Sequence, residues 1–248
     1  MRTRVSLVLG WTTILALGLT VWLALFVSPA DVNQKDAVRL LYLHVPTAWI
    51  AMYVSFGVTT VASVLWLWKR TRSPKWDLLA GASAEIGVLF IGLTLIIGSI
   101  WGKTTWGVWW TWDARLTLTA VLLVLYLGYL AVRRAPAATE VRAKRAAFVA
   151  LAAAVDIPIV HFAVEWWRTL HQPASILDDR RLLDPQIHGS MGTTLWVGVL
   201  AFTLLYSWLL LKRYRLAQME QQIEDARLDE AIAERRAEAE EAGLPVPT

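Results

Sequence analysis

Residues 78–101 read LLAGASAEIGVLFIGLTLIIGSIW. Glu85 is the only ionisable side chain in this run of 24. A bilayer core about 30 Å thick is crossed by roughly 20 apolar residues at helical rise, so the stretch reads as one membrane span. Five further runs of the same kind lie at 5–27, 47–68, 116–132, 146–164 and 193–211, and the six together take half of the 248 residues. The first run has Arg2 and Arg4 before it and Ser28-Pro29-Ala30 after it, as a secretory leader would. Its length exceeds the leader's apolar segment of about 7–15 residues, and it is expected to stay as a span.

Composition agrees. The chain is 56% hydrophobic and 18% charged, with a mean hydropathy of +0.47, where a soluble domain is about a quarter charged. It carries 15 Trp and no Cys. Without Cys there is no disulfide framework, no thiolate metal site and no covalent attachment of a c-type haem. Metal chemistry must rest on His, carboxylate or Met. The net charge of +4 conceals a division: residues 212–248 hold nine acidic and six basic groups, which leaves 18 basic and 11 acidic in 1–211.

Orientation follows from Lys and Arg in the short connections. Segments 1–4, 69–77, 133–145 and the start of 212–248 carry 14 of them, among them Arg70, Arg134 and Lys212. The alternate segments 28–46, 102–115 and 165–192 carry seven over 61 residues, Arg180 and Arg181 included. The expected architecture is an all-α polytopic membrane protein with six transmembrane helices, both termini cytoplasmic and a Trp-rich outer loop. Residues 1–211 form the membrane domain, and 212–248 a charged, helical cytoplasmic tail whose Leu216, Met219 and Ile223 make only a short apolar stripe.

This topology puts His44, His161, His171 and His188 at or near the outer face. Trp101, Trp106, Trp109, Trp110, Trp112, Trp166 and Trp167 gather there too, whereas an aromatic belt populates both faces. In the connection Trp101-Gly-Lys-Thr-Thr-Trp106-Gly-Val-Trp109-Trp110-Thr-Trp112-Asp113-Ala-Arg115, a helix would align Trp106, Trp109, Trp110 and Asp113 on one side. Such an indole platform suits a large planar ligand such as haem. The neighbouring Gly98-Ser-Ile-Trp-Gly102-Lys103-Thr104 mimics a phosphate loop, but it has three residues between its glycines where the motif needs four and it follows a span instead of a strand. Nucleotide binding is rejected.

His44 precedes Pro46, a residue suited to a first helical turn, and so is expected at the positive end of the second span, where a neutral imidazole is favoured. His171 follows Glu165-Trp166-Trp167-Arg168. A lone outer-loop His is ordinarily a solvated side chain, but two of them flanking a Trp platform point to metal ligands. His161, within the fifth span near Asp156 and Pro158, is expected in a supporting role together with Glu165, Trp166 and Trp167. His188 reads as a loop residue, and Glu85 must face the bundle interior.

The segment Trp106-Gly107-Val-Trp109-Trp110-Thr-Trp112-Asp113-Ala-Arg115-Leu-Thr117 resembles the WWD signature of membrane haem-handling proteins. With Tyr42-Leu-His44-Val-Pro46, Glu165-Trp166-Trp167-Arg168-Thr-Leu-His171-Gln172 and six spans, the chain is similar to the CcmC family, the haem exporter proteins C of bacterial cytochrome c maturation, over about residues 5–211. Larger WWD relatives, CcmF and CcsA, have more spans. The resemblance implies a non-enzymatic role in the inner membrane. Haem b would be presented at the periplasmic face and loaded onto the haem chaperone CcmE, alongside CcmA, CcmB and CcmD, with ATP hydrolysed in a partner and no nucleic acid involved. It implies His44 and His171 as axial ligands and the WWD loop, with Trp101, Gly107 and Trp112, as platform. Arg115, Lys103 and Arg168 are the candidates for pairing with the propionates. The competing expectations are a transporter passing haem or another solute through the bundle, and a structural subunit whose Trp only anchor it.

Overall fold

The computed structural model describes residues 2–172 and 187–241. Arg180 and Arg181 lie outside the described residues. Eight α-helices are described: α1 (Arg2–Trp22), α2 (Leu41–Ala48), α3 (Phe56–Leu67), α4 (Pro74–Trp106), α5 (Ala114–Arg134), α6 (Thr139–Ala154), α7 (Asp156–Trp166) and α8 (Gly189–Glu241). Among the described residues the sole β-type pairing is an isolated bridge between Asp31 and Lys35. Six stretches are long and apolar enough to cross a membrane: Arg4–Val27, Asp36–Leu67, Pro74–Trp106, Ala114–Arg134, Thr139–Trp166 and Gly189–Glu238. They are the six read from the sequence, lengthened at several ends. Extension is expected, because helices continue past the apolar stretch wherever polar residues keep good helix propensity.

Three spans are built from more than one piece, the first passing from α1 into a π-helical stretch (Leu23–Val27). The second opens as a 3₁₀ turn (Asp36–Leu40), continues as α2, widens into a π-helical stretch (Trp49–Ser55) and ends as α3. Pro46 therefore lies inside α2, not in a first turn, and His44 is in the body of the helix. The expectation that His44 sits at a helix's positive end is thereby corrected. The 3₁₀ turn starts the span early, and a proline that removes one backbone donor is followed by the π stretch, a local irregularity frequent at functional sites. The fifth span breaks at Val155, between α6 and α7. Pro158 has no N–H for the carbonyl of Ala154, which explains the interruption there.

The helices pack as α1 on α8, α3 on α4 and α6, and α5 on α6 and α7. Phe56 and Tyr126 stack at the centre with ring centroids 3.5 Å apart and an interplanar angle of 7°. Buried Ala146, Ala150 and Ala153 let α6 approach its neighbours closely. One polar cluster inside the bundle is paired: Ser83 Oγ donates to the Ser55 carbonyl at 2.8 Å and lies 2.7 Å from the Tyr206 hydroxyl.

Apart from the local Arg39–Asp36 pair (3.0 Å) ahead of α2, the ion pairs described here collect at one end. Arg133 grips Asp77 with two nitrogens, one contact at 3.0 Å, and Arg72 meets Glu140 at 3.0 Å. Glu85 is paired, with Arg213 Nη2 donating to it at 3.0 Å while Arg213 also reaches Glu220 at 3.2 Å. These cations belong to the segments rich in Lys and Arg, so the bundle separates a basic end from the end that carries His44 and the Trp-rich loop. Ala217 is still buried, and beyond Gln221 the described side chains of α8 are exposed as the helix continues to Glu241.

Candidate functional site

At the end opposite the ion pairs, α4 stops at Trp106 because Gly107 adopts φ +78°, the left-handed conformation in which glycine closes helices. Residues 107–113 are irregular, and Asp113 restarts the chain as the N-cap of α5, its side chain accepting from Leu116 N at 2.9 Å. The helical platform expected over this connection is thus absent. With Gly107 ending one helix and Asp113 starting the next, Trp106, Trp109, Trp110 and Asp113 do not share a helical face.

The irregular path instead brings the indoles around an open-mouthed cavity. Trp101, Trp106, Trp109 and Trp110 line it, with His44, His171, Arg115 and Tyr53. Trp112 is 82% exposed and meets Trp110 edge-on at 5.7 Å, outside the lining. Trp166 and Trp167 are exposed at the end of α7, and they, Glu165 and Arg168 also lie outside the lining. Lys103 Nζ donates to the Gly107 carbonyl at 2.9 Å; it secures the end of α4 and does not line the cavity. Of the three cations read as propionate partners, Arg115 alone faces the cavity.

The two imidazoles both line this space, with ring centroids 6.3 Å apart and an angle of 37° between planes. Trp101 lies edge-on to His44 at 5.7 Å, and its indole N–H donates to Gln34 Oε1 at 2.8 Å. Trp106 lies edge-on to His171 at 6.3 Å. The Nδ1 of His171 is 2.7 Å from the Gln172 carbonyl, which acts as acceptor and so fixes the proton on Nδ1 and leaves a lone pair on Nε2. Burial, with the Arg115 charge and His44 behind it, pushes His171 down to about 3 against the pull of the Gln172 carbonyl, so the ring is neutral. His44 Nδ1, Trp110 Nε1 and Arg115 Nη1 are all buried without a hydrogen-bond partner. Buried polar atoms are mostly paired; these three orphans share one cavity and leave it with donors and a ring nitrogen open to a ligand.

His161 is connected to the cavity indirectly: its Nδ1 is 2.6 Å from the hydroxyl of Tyr53, a lining residue. His188 is exposed just before α8. Sequence reading missed Tyr53, Gln34 and Gly98. Gly98 packs so closely on His44 that a Cβ would come within 2.7 Å of Cε1. A glycine inside a helical run is a signal of close approach, but here it had been absorbed into the phosphate-loop pattern.

A family model described as Heme exporter protein C matches residues 1–229. The chain belongs to the CcmC family. It is similar to the heme exporter protein C of Haemophilus influenzae, at 40% identity over 88% of this chain and 86% of that protein. The CcmC-family protein of the same name from Escherichia coli is 38% identical over 76% of this chain and 73% of its own length. A protein of the liverwort Marchantia polymorpha, named a putative cytochrome c biosynthesis ccmC-like mitochondrial protein, is 39% identical over 64% of this chain and 65% of its own. The CcmC match runs past the last span into the charged extension of α8, beyond the residue 211 at which the sequence resemblance had been drawn to a close.

Proposed function

We propose that this chain handles haem for cytochrome c biogenesis: it holds haem at the periplasmic face of the bacterial inner membrane and passes it to the haem chaperone CcmE, in a membrane complex with CcmA, CcmB and CcmD. The protein binds and transfers; it makes and breaks no covalent bond. The observation carrying this reading is the pair of neighbouring imidazoles that line one cavity. Metal–imidazole bonds of about 2 Å, added to the radius of a five-membered ring with bonds of about 1.3 Å, put the centres of two trans ligands roughly 6 Å apart. His44 and His171 stand at 6.3 Å.

The remaining lining residues fit the same substrate. Haem is a flat, largely apolar ring with two carboxylate arms, and Trp101, Trp106, Trp109 and Trp110 supply broad apolar contact. The unpartnered Nη1 of Arg115 is a donor for one carboxylate, a charge-assisted bond of about 1.5–3 kcal/mol. Neutral imidazoles from two separate segments hold the iron by coordination alone, so release needs only displacement of one ring by an incoming ligand. The basic end of the bundle faces the cytoplasm under the charge rule, which turns the cavity outward. The cargo is haem b, which the protein has no Cys to capture.

The test is a transfer assay. The chain purified in detergent should carry haem, and mixing with haem-free CcmE should move the haem spectrum to CcmE. A preparation that never retains haem, or one that takes haem across the wall of sealed vesicles by itself, contradicts this reading.

A further inference from the structure

Asp113 has two oxygens and uses each on a different element. Oδ1 accepts from Leu116 N at 2.9 Å and caps α5, while Oδ2 accepts from Leu170 N at 3.2 Å, 57 residues further along the chain. Leu170 immediately precedes His171 in the irregular segment that follows α7. Within that segment Thr169 Oγ1 accepts from His171 N at 3.1 Å and donates to the His171 carbonyl at 3.0 Å, and the ring faces the Gln172 carbonyl. The Asp113 carboxylate thus ties the backbone next to His171 to the start of α5, and the His171 ring lies against Trp106. Arg115, the cation of the cavity, lies two residues after the same carboxylate.

From this we infer that Asp113 is a positioning residue: a two-ended clamp that sets His171 against His44 by joining the His171 segment to the start of α5. The inference rests on the reading of His44 and His171 as iron ligands. Asp113 itself touches no substrate, since it is outside the cavity lining. A bidentate acceptor is required because both partners are backbone N–H donors. Asn can accept with its carbonyl at one end only, and its NH₂ would face the second donor. Ser is a good N-cap but has a single oxygen. Both replacements keep α5 capped and remove the clamp.

The experiment compares the wild-type protein with Asp113→Ser and Asp113→Asn, purified in detergent with haem, by visible and electron paramagnetic resonance spectra. Wild type should be six-coordinate and low-spin. In the variants a large share of the haem, half or more, should become high-spin, and millimolar imidazole should return it to low-spin by replacing the misplaced His171. Low-spin spectra equal to wild type in both variants overturn the clamp. So does loss of haem that imidazole does not restore, which would make Asp113 a determinant of the fold. If wild-type haem is not bis-imidazole ligated, the reading of the site has failed instead, and that result is seen before any variant is compared.

Discussion

His171 owes its chemistry to where its ring is buried. Burial and the Arg115 charge push its protonation down to about 3, whereas a solvated imidazole titrates near 6.5. The depressed value means the folded chain refuses a proton that the unfolded chain accepts, so this residue weakens folding only as pH falls below about 6.5. Between pH 8 and 5 the ring of the haem-free protein should stay neutral, so its imidazole NMR shifts should not change; a transition centred near pH 6.5 would show a solvated ring. Gly98 governs the other ring. In Gly98→Ala the new Cβ would lie 2.7 Å from His44 Cε1, so the imidazole must turn away, and part of the haem should become high-spin with at least tenfold weaker retention. An unchanged spectrum would mean that His44 is free to move without consequence. Both histidines were legible in the sequence because their types and neighbours carry the chemistry. The roles of Gly98 and Tyr53 were not, because they exist only where α4 and the second span come together.

The helices themselves were readable from apolar run length, but their joints were not. Periodicity suggested a continuous helical face from Trp106 to Asp113, yet the left-handed Gly107 and the N-cap Asp113 break the chain there. Both are recognised end signals; the aromatic spacing between them simply fitted a helix as well. Gly107→Ala should cost about 1–2 kcal/mol for an L residue held left-handed, lowering the thermal midpoint by a few degrees and loosening the Trp loop. If melting and haem binding are both unaffected, that turn is not what shapes the loop. The second span shows the same limit. Pro46 reads as a first-turn residue, but the preceding 3₁₀ turn places it mid-helix, and no local rule counts turns that begin in polar sequence.

Across the whole molecule, two ends do different work. The basic end is closed by ion pairs, with Glu85 and Arg213 joining α4 to α8, and the opposite end opens as the aromatic cavity. The positive-inside count anticipated this polarity, while the partner of Glu85 needed three dimensions, 128 residues separating it from Arg213. Truncation after Gln222 keeps Arg213 and Glu220, and the described side chains it removes are exposed, so melting and haem spectrum should match the full chain. Arg213→Ala should lower the melting temperature by leaving Glu85 without its ion-pair partner. Equal damage from both changes would place structural weight on the distal tail. The central claim is that one iron is held between two imidazoles across this cavity, and the most direct measurement is the spectrum of haem bound to His44→Ala and His171→Ala. Each variant should lose the bis-imidazole low-spin signature and regain it with added imidazole. Two variants that keep the wild-type low-spin spectrum without it would contradict the account.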